Sequence, residues 1–332
     1  MRDRDDEGIG GGGTLEPQAA GSAQPGAEGA EAPAAPVQGT SPLVSAIIVN
    51  YNVKDHLLEC LRALFASSDL PIEAIVVDNA SKDGSAAAVE AEFPQVRLHR
   101  MRKNVGFGKA NNVGLEMATG RFILLLNPDV VVGPTCVGEL ADFLLVRQDV
   151  GAAGPKLVRP DGRLDNACRR GFPTPAVAFY RLSGLSLLFP RSSIFGRYNM
   201  GHLPLDKPHE IDAGTAACLM VRRAALRKIG HFDPAYFMYG EDLDLCYRLK
   251  ESGWKIHYVP AAYAVHVKGA SSRQQTARML YEFHSSMWTF HNKHYADDMP
   301  AFGNGLVWAA IWARWAVKTG WSTVTRDPEV SP

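Results

Sequence analysis

From Leu43 onward the chain alternates short β-branched runs with longer segments of helical period. "LVSAIIV", "DHLLECLRALFAS", "IEAIVVD", "SAAAVEAEF", "VRLHR", "GKANNVGLEMA" and "FILLLN" follow one another. Unbroken apolar runs of strand length suit strands covered on both faces, and strands that alternate with helices pair in parallel. The expected fold class is α/β, a mainly parallel central sheet with helices on both faces. Ligands of such sheets sit at the carboxyl ends of the strands. That rule selects Asn50 and Tyr51, Asp78 and Asn79, Asn104, and the stretch Asn127 to Asp129.

Composition narrows the function classes. Of 332 residues, 46% are apolar, enough for a sizeable core. Lys and Arg number 35 and Asp and Glu 35, so no overall field draws the chain to nucleic acid, and any polyanion must be held locally. Five scattered cysteines form no CxxC pair, which argues against a disulfide framework and a cysteine zinc site and fits a reducing cytosol. No apolar run of bilayer-spanning length occurs, and "MRDRDDEGIGGGG" lacks the apolar centre of a signal peptide. The expected location is therefore cytoplasmic, soluble or peripheral on the inner face of the membrane. Residues 1–41, rich in Gly, Ala and Pro, read as a disordered tail.

Several segments carry candidate chemistry. Asp78 ends an apolar run just where a turn begins, which fits an Asx turn capping the next helix or a hydrogen bond to a base or ribose. "NVGFGKANN" lacks the third small residue of a dinucleotide fingerprint. It still lets backbone approach a phosphate or ribose, with Lys109 supplying charge, or it is simply a helix entry. "GPKLVRPDGRLD" reads as a hairpin turning at Asp161-Gly162, and residues 171–209 as a loop-rich insert facing an acceptor. In "FMYGEDLDLCYRL", a helix from Glu241 places Asp242 on one face with Leu245, Cys246 and Leu249, so Asp242 points inward. Glu241 and Asp244 are accounted for by the helix dipole, whereas an inward carboxylate in a cleft is a candidate general base. His266, in the strand-like "AYAVHV", is either a satisfied core histidine or a partner for a divalent ion already held by one carboxylate. The loop after it carries Lys268, Ser271, Ser272 and Arg273, which suit diphosphate oxygens.

Taken in order, "VSAIIVNYN", "VVDNASKDGS", "NVGFGKANNVG", "LLLNPDV", "YGEDLDLCYRL", "GW" and "HVKGASS" resemble the motifs of inverting family 2 glycosyltransferases, in their bacterial rhamnosyltransferase-like branch. The resemblance covers about residues 43–295. It implies a GT-A-like nucleotide-diphospho-sugar transferase fold in a single catalytic domain over 42–295, with a nucleotide-binding half (42–135) and an acceptor-binding half (136–295). By resemblance, Tyr51 and Asp78 contact the base, and Asn50, Asn104, Gly106 and Lys109 line the nucleotide-sugar. Asp129 matches the metal-binding acid of the DxD motif, Asp242 the base of the ED motif, and His266 a histidine on the metal or diphosphate. Asn127 replaces the first DxD acid, so Mg²⁺ or Mn²⁺ is expected to bind weakly without nucleotide. The implied reaction is inverting transfer from a nucleotide-diphospho-sugar, with thymidine-diphospho-rhamnose the branch's suggestion, to a glycan or polyprenyl-linked acceptor in cell-wall polysaccharide synthesis. A non-catalytic sugar-nucleotide or glycan binder would not need Asp242. A nucleotidyltransferase would carry a Gly-rich basic loop where "VNYNVKDHLLE" stands.

Residues 296–332 form the last expected unit, an amphipathic helix and tail. Trp308, Ile311, Trp312 and Trp315 share one face, which suits either the membrane interface or packing on the catalytic domain or a second subunit in a homodimer. His284, His291 and His294 read as structural.

Overall fold

The structure is a computed structural model that describes residues 42–67, 70–267 and 276–325. The tail expected over 1–41 and the loop bearing Lys268, Ser271, Ser272 and Arg273 lie outside the described residues. One sheet organises the rest. Strands β1 (Val44–Asn50), β2 (Ile72–Asp78), β3 (Arg97–Arg100) and β4 (Phe122–Leu126) pair in parallel in the order β3-β2-β1-β4. Helices α1 (Lys54–Ala66), α2 (Ser85–Glu92) and α3 (Phe107–Met117) connect them. This is the expected alternation. All seven residues of β1 are buried, as a strand covered on both faces requires. Helix α1 buries Leu57, Cys60, Leu61 and Leu64, a stripe at helical spacing. Helix α3 comes so close to β1 that a Cβ on Gly114 would stand 2.4 Å from Ile47 Cγ2.

Beyond β4 the sheet is mixed. After β5 (Val130–Val132) and α4 (Cys136–Val146), strand β6 (Val150–Val158) runs parallel to β9 (Lys255–His266). Strand β8 (Cys218–Arg222) joins the two halves, antiparallel to both β4 and β6. Short β5 and β7 (His209–Ile211) lie antiparallel on β9. The hairpin after β6 turns at Asp161-Gly162, closed by the Arg159–Arg163 and Gly162–Arg159 backbone bonds. The insert that follows carries α5 (Pro175–Leu182), capped by the Thr174 hydroxyl, and α6 (Leu185–Leu188). Helix α7 (Arg223–Ile229) stops at Gly230, and α8 (Glu241–Glu251) is entered through Tyr239 and Gly240, both at positive φ.

Two helices close the chain, α9 (Thr276–His294) and α10 (Ala301–Thr325). Of the tryptophan face of α10, Ile311 is buried, and Trp312 and Trp315 meet the Tyr281 ring of α9 at 5.6 and 6.5 Å. That face therefore packs within the protein, because α9 offers it an aromatic partner, while Trp308 stays half exposed. Among the described residues no helix is long and apolar enough to cross a membrane. The five cysteines are free and buried.

Asp244 is fully buried, so the helix dipole alone does not account for it. The reason is α9, whose packing over α8 makes a second inward face and brings cations with it. His294 Nε2 (2.8 Å), Lys293 Nζ (2.7 Å) and Arg248 Nε (2.8 Å) all bond the Asp244 carboxylate. Burial alone would raise its pKa, but these bonds outweigh burial and lower it to about 2. A carboxyl depressed in the folded state contributes stability above its unfolded pKa and loses it as pH falls through the folded value. Asp244→Asn should therefore cost on the order of 2–4 kcal/mol at neutral pH, since Arg248, Lys293 and His294 all lose the carboxylate they bond. Denaturant melts from pH 7 to pH 2 should show that deficit shrinking toward the acid end.

Candidate active site

The polar carboxyl ends of β1 and β2 and the loop after β3 are tied into one network. Asn50 Nδ2 donates to Asp78 Oδ1 and to the Ser81 hydroxyl, each at 3.0 Å. Asp78 Oδ2 accepts from Ser81 N at 3.1 Å, so this acid does make the turn that sequence allowed. Its other oxygen is spent on the neighbouring strand. Asn79, which follows it, holds the loop before α3: its Nδ2 donates to Asn104 Oδ1 (3.0 Å) and its Oδ1 accepts from Val105 N (3.0 Å). Asn50, Asp78 and Asn79 are buried, while Tyr51 and Asn104 are partly exposed and Lys109 is exposed. Gly106 has a fold-internal duty. A Cβ there would lie 2.4 Å from the Phe237 carbonyl oxygen, which itself accepts from Phe107 N, so the glycine lets the α3 entry seat against the segment leading into α8.

The NPD segment leaves β4 beside the 213–217 loop. Asn127 N donates to Ala217 O at 2.8 Å, and Asn127 Oδ1 is buried with no hydrogen-bond partner. Asp129 is buried, and its Oδ1 likewise has none. Because β5 pairs antiparallel with β9, Val130 stands opposite His266, which brings the imidazole to the carboxylate. His266 Nε2 lies 3.5 Å from Asp129 Oδ1, and its Nδ1 bonds Asp165 Oδ2 at 2.9 Å. Burial would push this imidazole down, but the carboxylates on either side outweigh burial and raise it to about 9. Asp165, fully buried and fixed in the turn after β6, was not selected from sequence. Its signal, an acid in "GRLDNACRR", acquires meaning only once the β6 hairpin folds back toward β9.

Asp242 opens α8 with its side chain 13% exposed, so it does face inward. Its Oδ2 accepts from Arg170 Nη2 at 2.7 Å, and the same nitrogen donates to Gly214 O at 2.7 Å. Arg170 reaches it because Arg170 and Ala213 form an isolated antiparallel bridge. Sequence inspection passed over Arg170 as well, for its partner lies 72 positions away. Glu241 is the more buried acid of the pair, 6% exposed, with Oε2 unpartnered, against the expectation that it serves only the helix dipole. Burial first, then the charge of Asp242, raises its pKa to about 8. The ED pair is therefore one buried acid pushed up by its surroundings next to one arginine-held carboxylate.

Residues that hold a divalent ion should leave an oxygen without other work, and Asp129 Oδ1 meets that requirement with His266 Nε2 facing it. Asp165 anchors the far nitrogen of His266, the arrangement that orients a metal-binding imidazole. Among the described residues no group of three or more His, Cys, Asp or Glu side chains gathers into a site that could hold a metal by itself.

Known proteins share both sequence and shape with this chain. Residues 45–230 match the family model described as "Glycosyl transferase family 2". An N-acetylglucosaminyl-diphospho-decaprenol L-rhamnosyltransferase of Mycobacterium tuberculosis is 32% identical over 74% of this chain and 82% of its own length. Rhamnosyltransferase WbbL of Escherichia coli is 27% identical over 68% of this chain and 83% of its own. The mannosyltransferase PcManGT of Pyrobaculum calidifontis, solved with GDP-Man and Mn²⁺, superposes with a TM-score of 0.50 at 18% identity, covering 88% of this chain and 77% of its own, a likeness of fold. With the stretch from β1 to the end of α7 matched to one family model, this chain belongs to glycosyltransferase family 2.

Proposed function

We propose that this protein transfers a sugar from a nucleotide-diphospho-sugar to a hydroxyl of a lipid-linked or polysaccharide acceptor in cell-envelope glycan synthesis, by one displacement with inversion. The observation that carries the reading is the ED pair: Asp242, its Oδ2 held by Arg170 Nη2 at 2.7 Å, next to a buried Glu241 whose pKa burial raises. A base must be aimed before the acceptor arrives, and Arg170 fixes the Asp242 carboxylate. Asp242 takes the proton of the acceptor hydroxyl as that oxygen attacks the anomeric carbon, and the nucleoside diphosphate leaves from the opposite face. The names of the M. tuberculosis and E. coli relatives support L-rhamnose as the sugar, and the former supports a polyprenyl-diphosphate acceptor.

In this reading the fixed amides and carboxylate of the strand-end network, Asn50, Asp78, Asn79 and Asn104, would bond the base and ribose, with Tyr51, Gly106 and Lys109 along its rim. Asp129 and His266 would hold a Mg²⁺ or Mn²⁺ ion, which when bound offsets negative charge on the departing diphosphate. Asn127 adds a neutral hydrogen-bonding group beside them. Two protein donors make a weak site alone, so the ion should bind with the nucleotide.

Four results are expected. In a panel of nucleotide-sugars with a polyprenyl-diphosphate acceptor, release of nucleoside diphosphate should require acceptor and divalent metal, and absence of release from every donor would refute transfer. Asp242→Asn should lower kcat by about 10²–10⁴-fold with donor affinity unchanged, whereas Glu241→Gln, which mimics the neutral acid, should stay within several-fold of wild type. The wild-type enzyme should also lose stability relative to Glu241→Gln as pH rises from 4.5 to about 8, because the unfolded chain releases a proton that folded Glu241 retains. Calorimetry should show Mn²⁺ binding that is weak alone, tightened by nucleoside diphosphate, and deprived of that tightening by Asp129→Ala.

A further inference from the structure

The chain is electrically neutral overall, yet residues 166–205 contain five arginines, Arg169, Arg170, Arg181, Arg191 and Arg197, and no Asp or Glu. The same stretch leaves large apolar side chains in water. Phe179 and Leu182 of α5 are 60% and 61% exposed, Leu187 and Leu188 of α6 are 83% and 72% exposed, and Phe189 and Ile194 follow at 51% and 58%. An apolar patch of this size on one short insert marks an interaction surface. It is a built surface, because Phe195 packs against the rings of Tyr180 and Phe189, at 5.0 and 5.7 Å.

A cavity of about 200 Å³ opens within the insert, lined by Arg169, Arg181, Asn166, Ser186, Tyr198 and Asn199. Arg169 is only 4% exposed, and its Nε is buried without a hydrogen-bond partner, although its Nη1 donates to the Leu203 and Pro204 carbonyls. Arg181 lies over the Tyr198 ring at 4.2 Å. A cationic cavity with a spare buried N–H, set among exposed leucines and phenylalanines, matches one chemistry: a phosphate headgroup with acyl chains beside it.

We infer that the 175–197 insert is a docking face for an anionic phospholipid bilayer, with its apolar side chains in the interfacial layer and the Arg169–Arg181 cavity on a lipid phosphate. The face joins the catalytic site directly. The insert leaves from Asp165 and Arg170, which hold His266 and Asp242, and returns through Ala213 and Gly214, which bond Arg170. Its use to the enzyme rests on the reading of the acceptor as lipid-linked, since a membrane-seated insert presents such an acceptor to Asp242. The binding itself does not depend on that reading. Helix α10 lies alongside, for Arg181 and Arg314 are close enough to repel.

The test is co-sedimentation of the full chain with phosphatidylcholine vesicles, with and without about a quarter of phosphatidylglycerol. The wild type should pellet with the anionic vesicles, and raised salt should weaken the binding. Leu187→Ser combined with Leu188→Ser should reduce partitioning by about tenfold or more, as should Arg181→Glu. Thermal midpoints should remain unchanged, because these side chains are exposed. Transfer to a water-soluble acceptor should be unaffected in the leucine double variant. A wild type that stays in the supernatant, or a double variant that pellets as wild type does, would overturn the inference. Vesicle binding by a protein that transfers no sugar would uphold this face and refute the catalytic reading instead.

Discussion

An ionised carboxylate removed from water must be matched by a cation, and the second half of this molecule is arranged around that demand. Asp129 and Asp165 share His266, Asp242 takes Arg170, and Asp244 takes Arg248, Lys293 and His294. Most of these pairings join segments distant in the chain, β5 to β9 and the β6 hairpin, the insert to α8, and α8 to α9, while Arg248–Asp244 lies within α8. Glu241 lies between Asp242 and the interior with its Oε2 unpartnered, and it gives up its charge instead. The same electrostatics hold Asp242 against Arg170 and raise the pKa of Glu241 next to it.

The parallel half was legible in the sequence because its signals are local. β4 is an unbroken apolar run, β1 and β2 are nearly so, broken only by Ser45 and Glu73 before their polar ends, α1 and α3 show a helical period, and Asn50, Asp78 and Asn127 mark the strand ends. His266 and Asp242 were legible for a similar reason, one in a strand-like run and the other on the apolar face of a helix. What stayed hidden depends on long-range geometry. Asp165 and Arg170 sit in a segment without period, and their roles follow from a hairpin and a single bridge to Ala213. The surroundings of Asp244 follow from α9 packing over α8, which helical spacing within α8 alone does not encode. The tryptophan face of α10 was ambiguous in sequence for the same reason, and the Tyr281 ring of α9 determines it.

The two halves divide the work unevenly. The β3-β2-β1-β4 half is rigid, with strand ends cross-bonded by asparagine side chains that suit a planar base and a ribose. The β8-β6-β9 half places charged side chains against one another and carries the insert, where apolar and cationic groups face outward together. Antiparallel β8 is the seam, since its pairing with β4 and β6 sets the 213–217 loop beside both Asn127 and Arg170. A donor held by one half and an acceptor approaching along the other would meet at that loop.

The most direct measurement is an experimental structure of the protein with a nucleoside diphosphate and Mn²⁺. The expected result is an ion coordinated by diphosphate oxygens, Asp129 and His266, with the base against the Asn50–Asp78 strand ends and the Asp242 carboxylate open toward the diphosphate. A nucleotide bound elsewhere, or an ion held without Asp129, would contradict the assignment of this site.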